Sequence, residues 1–364
     1  MGFTAEEKCL LWLSSAEIGA GRVKRLLDAL GTAEAIWRAF PERGHELFEA
    51  SGHDALSRLR DSDRLDDFCA CIDKSNLSVL FLQSEAYPPL LREIDEPPYC
   101  LYCKGNLAAL RRPSIAIVGT RAPSTYGRTM AHAFGRDLAR AGICVVSGLA
   151  RGIDACAHQG ALDGEGPTVA VLGNGVDQPY PAENTRLYRQ ILQDGGLLIS
   201  EYPLGAQPIS YHFPYRNRII SGLSHAIVFV EGRIRSGGML TVNTALDQGR
   251  EVFAVPGRAD SMMSEGPLHI MREGSRPVTC AADVLEDLGL AELAAAQTED
   301  SPPLDLTSGQ ASIYGALQRE PMTMDELQPL IKLPLATLQT ELGMLEIRGL
   351  IRREAGSRYA RIHA

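Results

Sequence analysis

From Ser114 onward the chain alternates short, nearly unbroken apolar runs with longer stretches of helical spacing. Strands are predicted at 114–118, 143–147, 168–172, 196–200, 225–230 and 251–255, and helices around 125–141, 154–163, 184–193 and 238–248. Runs such as Ile115-Ala-Ile-Val118 contain no polar alternate position, so these strands are predicted to be buried on both faces. Strand-helix alternation of this kind specifies an α/β fold with a doubly wound, extended Rossmann-like parallel sheet.

The flanks follow other patterns. Residues 1–75 place Leu10, Leu13, Val23, Leu26, Leu30 and Ile36 at three- and four-residue spacing and are predicted to form a small helical domain. Within it, Ile18-Gly-Ala-Gly-Arg-Val-Lys-Arg25 fits either the glycine turn of a helix-hairpin-helix or an ordinary turn between packed helices. The central domain, 76–290, begins with a strand from Leu77, a proline-punctuated stretch and a second apolar segment at Tyr99–Tyr102; these extend the sheet or clamp its edge. Residues 291–306, rich in acids and proline and poor in bulky side chains, are predicted to be a linker. In 307–364, helical spacing at 311–318, 323–330 and 335–348 precedes a hairpin pattern from Leu350 to Ile362, the order of a winged helix. Its third helix carries little positive charge, so duplex contact and protein contact stand as equal readings.

Composition narrows the classes. A length of 364 residues with 45% hydrophobic content is that of a two- or three-domain globular chain. No apolar run approaches the ~20 residues that a membrane span needs, and the first residues offer no secretory pattern, so a cytoplasmic location is expected. The eight cysteines are scattered, and Cys100-x-x-Cys103 has no matching second pair, so neither a disulfide framework nor a metal site is expected. The net charge of −9 excludes a chain that coats nucleic acid through its overall field. Any polyanion site must be local, and the six arginines between Gly205 and Arg258, against Glu231, Asp247 and Glu251, mark where.

The chemistry resides at predicted strand ends. Gly119 leads into Thr120-Arg121 rather than a Gly-x-Gly-x-x-Gly loop, and no Gly-Lys-Ser/Thr occurs, so neither a nicotinamide cofactor nor Walker-type ATP hydrolysis is expected. No cofactor and no catalytic residue are assigned. Instead Gly119-Thr120-Arg121, Ser147-Gly148 with Arg151-Gly152, Gly173-Asn-Gly175, Phe213 with Arg216-Asn217-Arg218, and Ser236-Gly237-Gly238 with Thr241 gather along one sheet edge. Guanidinium groups and bare amides suit phosphates, and an aromatic ring suits a base, which together make a groove for single strands without sequence readout. Asp154 and His158 lie four apart on one helical face, yet no nucleophile accompanies them, and a helix cap with a packed imidazole is the reading adopted. Glu231 is the better candidate for an isolated catalytic carboxylate.

Ser147-Gly-Leu-Ala-Arg-Gly-Ile-Asp154, Ala170-Val-Leu-Gly-Asn-Gly-Val-Asp177 with Tyr180-Pro181, Phe213-Pro-Tyr-Arg-Asn-Arg-Ile-Ile-Ser-Gly-Leu-Ser224 and Gly249-Arg-Glu-Val-Phe-Ala-Val-Pro-Gly257 resemble, in order, the motifs of the bacterial DNA processing protein A (DprA, or Smf) family. The resemblance spans about Leu77 to Leu288, and the two flanks fit the sterile-alpha-motif-like and winged-helix domains of many members. It implies a non-enzymatic, homodimeric protein that binds and protects incoming single-stranded DNA in natural transformation. It further implies loading of the RecA recombinase onto that strand in place of single-strand-binding protein. Carried onto this chain, the family's phosphate motif is Gly119-Thr120-Arg121, and its groove includes Phe213, Arg216, Asn217 and Arg218. The chain departs from the family pattern at Glu231-Gly232, at Ser236-Gly-Gly-Met239 and at Ser210-Tyr-His212, where basic residues are common.

A reading from another class is an enzyme acting on a nucleoside monophosphate, such as a lysine-decarboxylase-like glycoside hydrolase. Its Pro-Gly-Gly-x-Gly-Thr loop has only Arg235-Ser-Gly-Gly-Met-Leu-Thr241 as a counterpart here. A third reading, a duplex-DNA regulator, rests on the winged helix.

Overall fold

Alternate side chains of each parallel strand point to opposite faces of the sheet. Ile115 and Ile117 therefore join one helical layer, and Ala116 and Val118 the other. The computed structural model describes residues 2–60, 62–291, 306–317, 321–348, 350–354 and 357–361. The chain divides into two compact units, Met1–Thr298 and Glu299–Ala364. The expected linker, apart from its first and last residues, lies outside the described residues.

Five helices open the first unit: α1 (Ala5–Ser14), α2 (Ala20–Leu30), α3 (Ala33–Leu47), α4 (Ala50–Leu59) and α5 (Ser62–Lys74). Thr4 and Glu7 form a capping box that fixes the start of α1. Trp12, fully buried, meets Trp37 and Phe40 edge-on and donates its indole N–H to the Leu56 carbonyl at 2.8 Å. These helices do not close a core of their own. Trp12, Ile36 and Leu56 belong to one apolar cluster with Tyr102, Leu172 and Leu198 of the sheet region.

Next come β1 (Ser78–Phe81), α6 (Pro89–Arg92), β2 (Cys100–Gly105), β3 (Ser114–Val118), α7 (Thr125–Arg140), β4 (Cys144–Ser147), α8 (Ile153–Asp163), β5 (Thr168–Val171), α9 (Thr185–Gln193) and β6 (Leu197–Ser200). They are followed by α10 (His212–Leu223), β7 (Ala226–Phe229), α11 (Gly237–Asp247), β8 (Glu251–Ala254), α12 (Glu265–Arg272), β9 (Arg276–Pro277) and α13 (Ala281–Asp287). The nine strands run in the order β1-β2-β6-β5-β4-β3-β7-β8-β9. All pairs from β6 to β9 are parallel, while β1 and β2 add an antiparallel edge, so the mixed α/β, doubly wound fold expected from the sequence is the one observed. The order grows outward from β3 through β4, β5 and β6, then returns to place β7 on the other side of β3. That reversal opens a crevice at the carboxyl ends of β3 and β7, where such sheets bind ligands.

Several details differ from the sequence expectation. The segment after β6 holds a helix, α10, that was not predicted; Pro214 sits in its first turn, where a missing N–H costs nothing. Because α10 is buried on several sides, polar Asn217, Ser221 and Ser224 are interior, and the usual amphipathic signature is erased. Cys100 and Cys103, three apart on a strand, point to opposite faces and belong to different apolar clusters. The glycine turn before α2 faces inward: the Ala20 N–H donates to the Tyr215 hydroxyl at 2.9 Å, and a side chain at Gly21 would overlap the Glu96 carboxylate. With one amide of the turn taken by Tyr215, the contacts are those of a turn between packed helices.

In the second unit, α14 (Ser308–Ala316), β10 (Met322–Thr323), α15 (Met324–Ile331), α16 (Leu335–Ile347), β11 (Ile351–Glu354) and β12 (Arg358–Arg361) form a winged helix whose sheet order is β10-β12-β11. Capping boxes at Thr307 and Thr323 start two of its helices. The third helix, α16, has no lysine or arginine and exposes Leu335, Met344 and, at 82%, Ile347. Among the described residues, no helix is long and apolar enough to cross a membrane.

Candidate functional site

The loop after β3 is held by its neighbours. A side chain at Gly119 would lie 2.7 Å from both the Glu231 carbonyl and Ile153, so only glycine fits this approach. Thr120 donates its N–H to the Glu231 carbonyl at 2.7 Å and accepts from the Ile153 N–H at 3.1 Å. These bonds anchor the loop on both sides of β3 and set the position from which Arg121 projects. Gly152, at φ +82°, lets the Thr120 carbonyl come close beneath it.

Across the crevice, α10 presents Phe213, Arg216, Asn217 and Ile220, spaced along one helical face, to a hollow of about 330 Å³. Gly119, Thr120, Arg121, Ser236, Gly237 and Thr241 line the same hollow. The Arg121 guanidinium carbon lies 5.9 Å from the Phe213 ring centre, and the Tyr180 ring lies 5.3 Å beyond at 31°. Arg121, Phe213 and Arg216 also line an adjoining recess of about 80 Å³, together with Gly148, Arg151, Asn174 and Tyr180. The amino end of α11 contributes its first turn, with the Ser236 hydroxyl accepting from the Met239 N–H at 3.3 Å.

Arg216 is 4% exposed. One of its terminal nitrogens donates to the Gly148 carbonyl at 2.5 Å, and the other to Asn217 Oδ1 at 2.9 Å, while its Nε has no partner among the described residues. Asp154 accepts from the Gly148 and Ala150 N–H groups at 3.2 and 3.3 Å, so the Gly148 peptide is held from both ends. Burial holds the Arg216 guanidinium down to about 10; the Asp154 carboxylate opposes that shift and the charge of Arg121 adds to it. Burial pushes the Asp154 carboxyl above its ordinary value, against the pull of Arg216 and of the two amides. Two cations thus face one hollow with a single buried, burial-weakened carboxylate beside them, and an anion entering there relieves their mutual repulsion.

The structure does not bring every expected residue to this hollow. Ser147 is fully buried, and its hydroxyl donates to the Ile117 carbonyl at 2.7 Å inside the sheet. Arg151, well exposed, pairs with Glu183 at 2.8 Å at the rim of the recess. Arg218 turns to the opposite side of α10, where Glu201 accepts both of its terminal nitrogens at 2.9 and 2.6 Å. Burial lowers the Arg218 guanidinium, but the Glu201 charge and hydrogen bonds outweigh it and leave it above its ordinary value. Tyr180, absent from the expected site, completes the aromatic wall; its place in the Tyr180-Pro181 motif was the available signal.

The candidate enzymatic residues have structural partners. Glu231 is 4% exposed and accepts the Ser124 N–H at 2.9 Å and the Ser124 hydroxyl at 2.5 Å, which ties it to the start of α7. It does not line the hollow. His158 is fully buried, with Nδ1 2.7 Å from the Thr168 hydroxyl.

Comparison with known proteins places these features in a family. A family model described as DNA recombination-mediator protein A matches residues 78–289, and one described as the DprA winged helix domain matches 297–357. Protein Smf of Synechocystis is 32% identical, over 97% of this chain and 98% of its own length. Protein Smf of Escherichia coli is 44% identical, over 60% of this chain and 58% of its own length. The solved structure of DprA from Streptococcus pneumoniae superposes with a TM-score of 0.65 at 31% identity, covering 79% of this chain and 99% of that one. A structure from Helicobacter pylori, whose description concerns the single-stranded DNA binding mode of its DNA processing protein A, gives 0.53 at 28% identity over 58% and 95%.

Proposed function

This chain belongs to the DNA recombination-mediator protein A family, and from that premise we propose that it binds single-stranded DNA along the hollow at the carboxyl ends of β3 and β7. The observation that carries the reading is the convergence of Arg121, Arg216 and Phe213 on one crevice beside the first turn of α11. Phosphates meet the two guanidinium groups and the Gly119, Gly237 and Gly238 backbone, and a base stacks against Phe213 and Tyr180. The cationic and aromatic lining favours recognition through the phosphate backbone and base stacking. Gly148, Gly152 and Asp154 hold Arg216 and the Arg121 loop, and Arg151, paired with Glu183, stands at the rim of the adjoining recess.

In this reading the protein protects the strand and hands it to the RecA recombinase in place of single-strand-binding protein, as a homodimer and without chemistry of its own. That part is supported by family membership. The nucleoside-monophosphate hydrolase reading lacks support in the hollow, because Glu231 is committed to Ser124. The winged helix supports no duplex reading through α16, whose exposed side chains are apolar or neutral except for Glu346.

The test is a titration of labelled oligothymidylate followed by anisotropy at several salt concentrations. If about three phosphates are neutralised, the log-log slope is expected to be about −2. A flat salt response, or equal affinity for duplex, would sink the reading. A RecA filament-nucleation assay on strands coated with single-strand-binding protein tests the loading step, and absence of free base after incubation with a nucleoside monophosphate tests the exclusion of hydrolysis.

A further inference from the structure

A cavity larger than the hollow lies at the other end of the sheet. It measures about 1040 Å³ and opens near the amino ends of β3 and β4, on the face that carries α10. Its origin is topological. Between β6 and α10 the chain runs without a helix, so the lower halves of β4 and β5 on that face lie under a 3-10 turn, Leu107–Arg111, the proline segment before α6 and the last turn of α10. Val146 and Val169 form its floor, and the half-buried Leu90, Leu107 and Leu110 form its walls. The walls are stiff: Pro88, Pro89 and Pro113 restrict them, and Arg250 donates to the Leu90 carbonyl at 2.8 Å. Preformed apolar concavities of this size mark binding sites more often than packing faults.

The rim supplies the chemistry. Arg111 and Arg112 are both exposed at the cavity mouth, and neither guanidinium group has an ion-pair or hydrogen-bond partner among the described residues. Glu85, exposed on the opposite wall, is the one carboxylate among the lining residues. Two free guanidinium groups beside an apolar trough complement a partner that carries carboxylates next to apolar anchors.

We propose that this groove docks a short acidic peptide segment of a partner protein, with leucine- or phenylalanine-sized anchors over Val146 and Val169 and carboxylates on Arg111 and Arg112. Leu223, at the last turn of α10, lines the groove, while Phe213 and Arg216, at the first turns, line the hollow. Peptide and anionic strand therefore occupy opposite ends of one sheet and are held together without competition. The proposal does not depend on the DNA reading.

The experiment uses the full chain and a fluorescein-labelled peptide, Glu-Leu-Asp-Phe-Glu-Leu-Asp, with a second peptide bearing Ser for the apolar residues and a third bearing Lys for the acids. The first is expected to bind, the other two not, and saturating oligothymidylate is expected to leave its affinity unchanged. The double substitution Arg111→Glu, Arg112→Glu is expected to weaken it by about tenfold or more, with oligothymidylate binding unaffected. Leu110→Trp, which fills the trough without touching charge, is expected to do the same and decides the matter if the charge variant fails to fold. Equal binding of the serine peptide, retention in both variants, or competition by oligothymidylate would overturn the proposal. So would binding of dansyl-undecanoate in place of the peptide, which would make the groove a site for small amphiphiles. Peptide binding on the expected pattern without oligothymidylate binding would remove the DNA reading and leave this one standing.

Discussion

Arg216 and Arg218 stand two residues apart in α10, both 9% exposed or less, yet they meet opposite electrostatic surroundings. On one side of the helix Arg218 is enclosed by the Glu201 carboxylate and lies 4.0 Å over the Tyr215 ring. On the other, Arg216 has carbonyl and amide oxygens as partners and another cation, Arg121, across the hollow. A buried guanidinium is structural when its charge is matched by the protein and available when it is not. The helix turn of about 100° per residue is what separates the two fates.

The largest effect separating these sides is on stability. Arg218→Ala leaves Glu201, one-tenth exposed, without its partner, which is expected to cost about 3 kcal/mol. Denaturant unfolding measures it, while oligothymidylate affinity of the folded protein stays within about twofold. A strong loss of affinity in a protein that still unfolds at the wild-type midpoint would place Arg218 with the hollow after all. Arg216→Met is expected to show the reverse pattern. It keeps the volume, removes two hydrogen bonds and a charge that the burial-weakened Asp154 offsets only in part, and should weaken strand binding by about 1.5–3 kcal/mol, roughly tenfold to a hundredfold.

That pairing also shows what the sequence could and could not reveal. The strand ends and the Gly119, Gly148 and Gly152 loops were legible, because apolar runs and glycines report backbone geometry directly. The grouping of Arg216, Asn217 and Arg218 was not, because no helix was assigned to Phe213–Leu223: its polar residues are buried and its proline reads as a break. Once the helix is known, spacing alone puts Phe213, Arg216 and Asn217 on one face and Tyr215 and Arg218 on another. Ser147 misled for a related reason, since a hydroxyl at a strand end reads the same whether it faces a ligand or bonds within the sheet. The committed state of Glu231 was invisible, as Ser124 lies more than a hundred residues away.

The hollow side should also be the acid-sensitive one. His158 is held down to about 3, first by burial and then by the charge of Arg216. In the unfolded chain its imidazole takes up a proton near 6.5, so between 6.5 and about 3 the unfolded state binds a proton that the native state refuses. Its contribution is therefore complete above the unfolded value and is lost as pH falls, with a limiting slope of about 1.4 kcal/mol per pH unit. Thermal midpoints measured from pH 7 to pH 5 are expected to fall less steeply in His158→Gln. Identical slopes in the variant would assign the acid sensitivity elsewhere.

The smallest expected effect tests whether the two sides of α10 are independent. Tyr215 accepts the Ala20 N–H at 2.9 Å and donates to Glu96 at 3.1 Å, so its hydroxyl ties the amino end of α2 to the Arg218 side. Tyr215→Phe keeps the ring under Arg218 and loses only these bonds, which is expected to cost about 1 kcal/mol. One path could carry that loss to the hollow: His212, in the first turn of α10, sits 3.3 Å from Glu17 of the helical domain and 3.2 Å from the Gly173 carbonyl, which borders the recess. Its ring is stacked at 3.8 Å on Tyr202 and fully enclosed, a packing that resists small displacements of α2. Strand affinity is therefore expected to stay within about twofold while the unfolding midpoint drops. If affinity falls in step with stability, α10 moves as a lever between the helical domain and the strand, and the division drawn between Arg216 and Arg218 is one of contacts and not of energy.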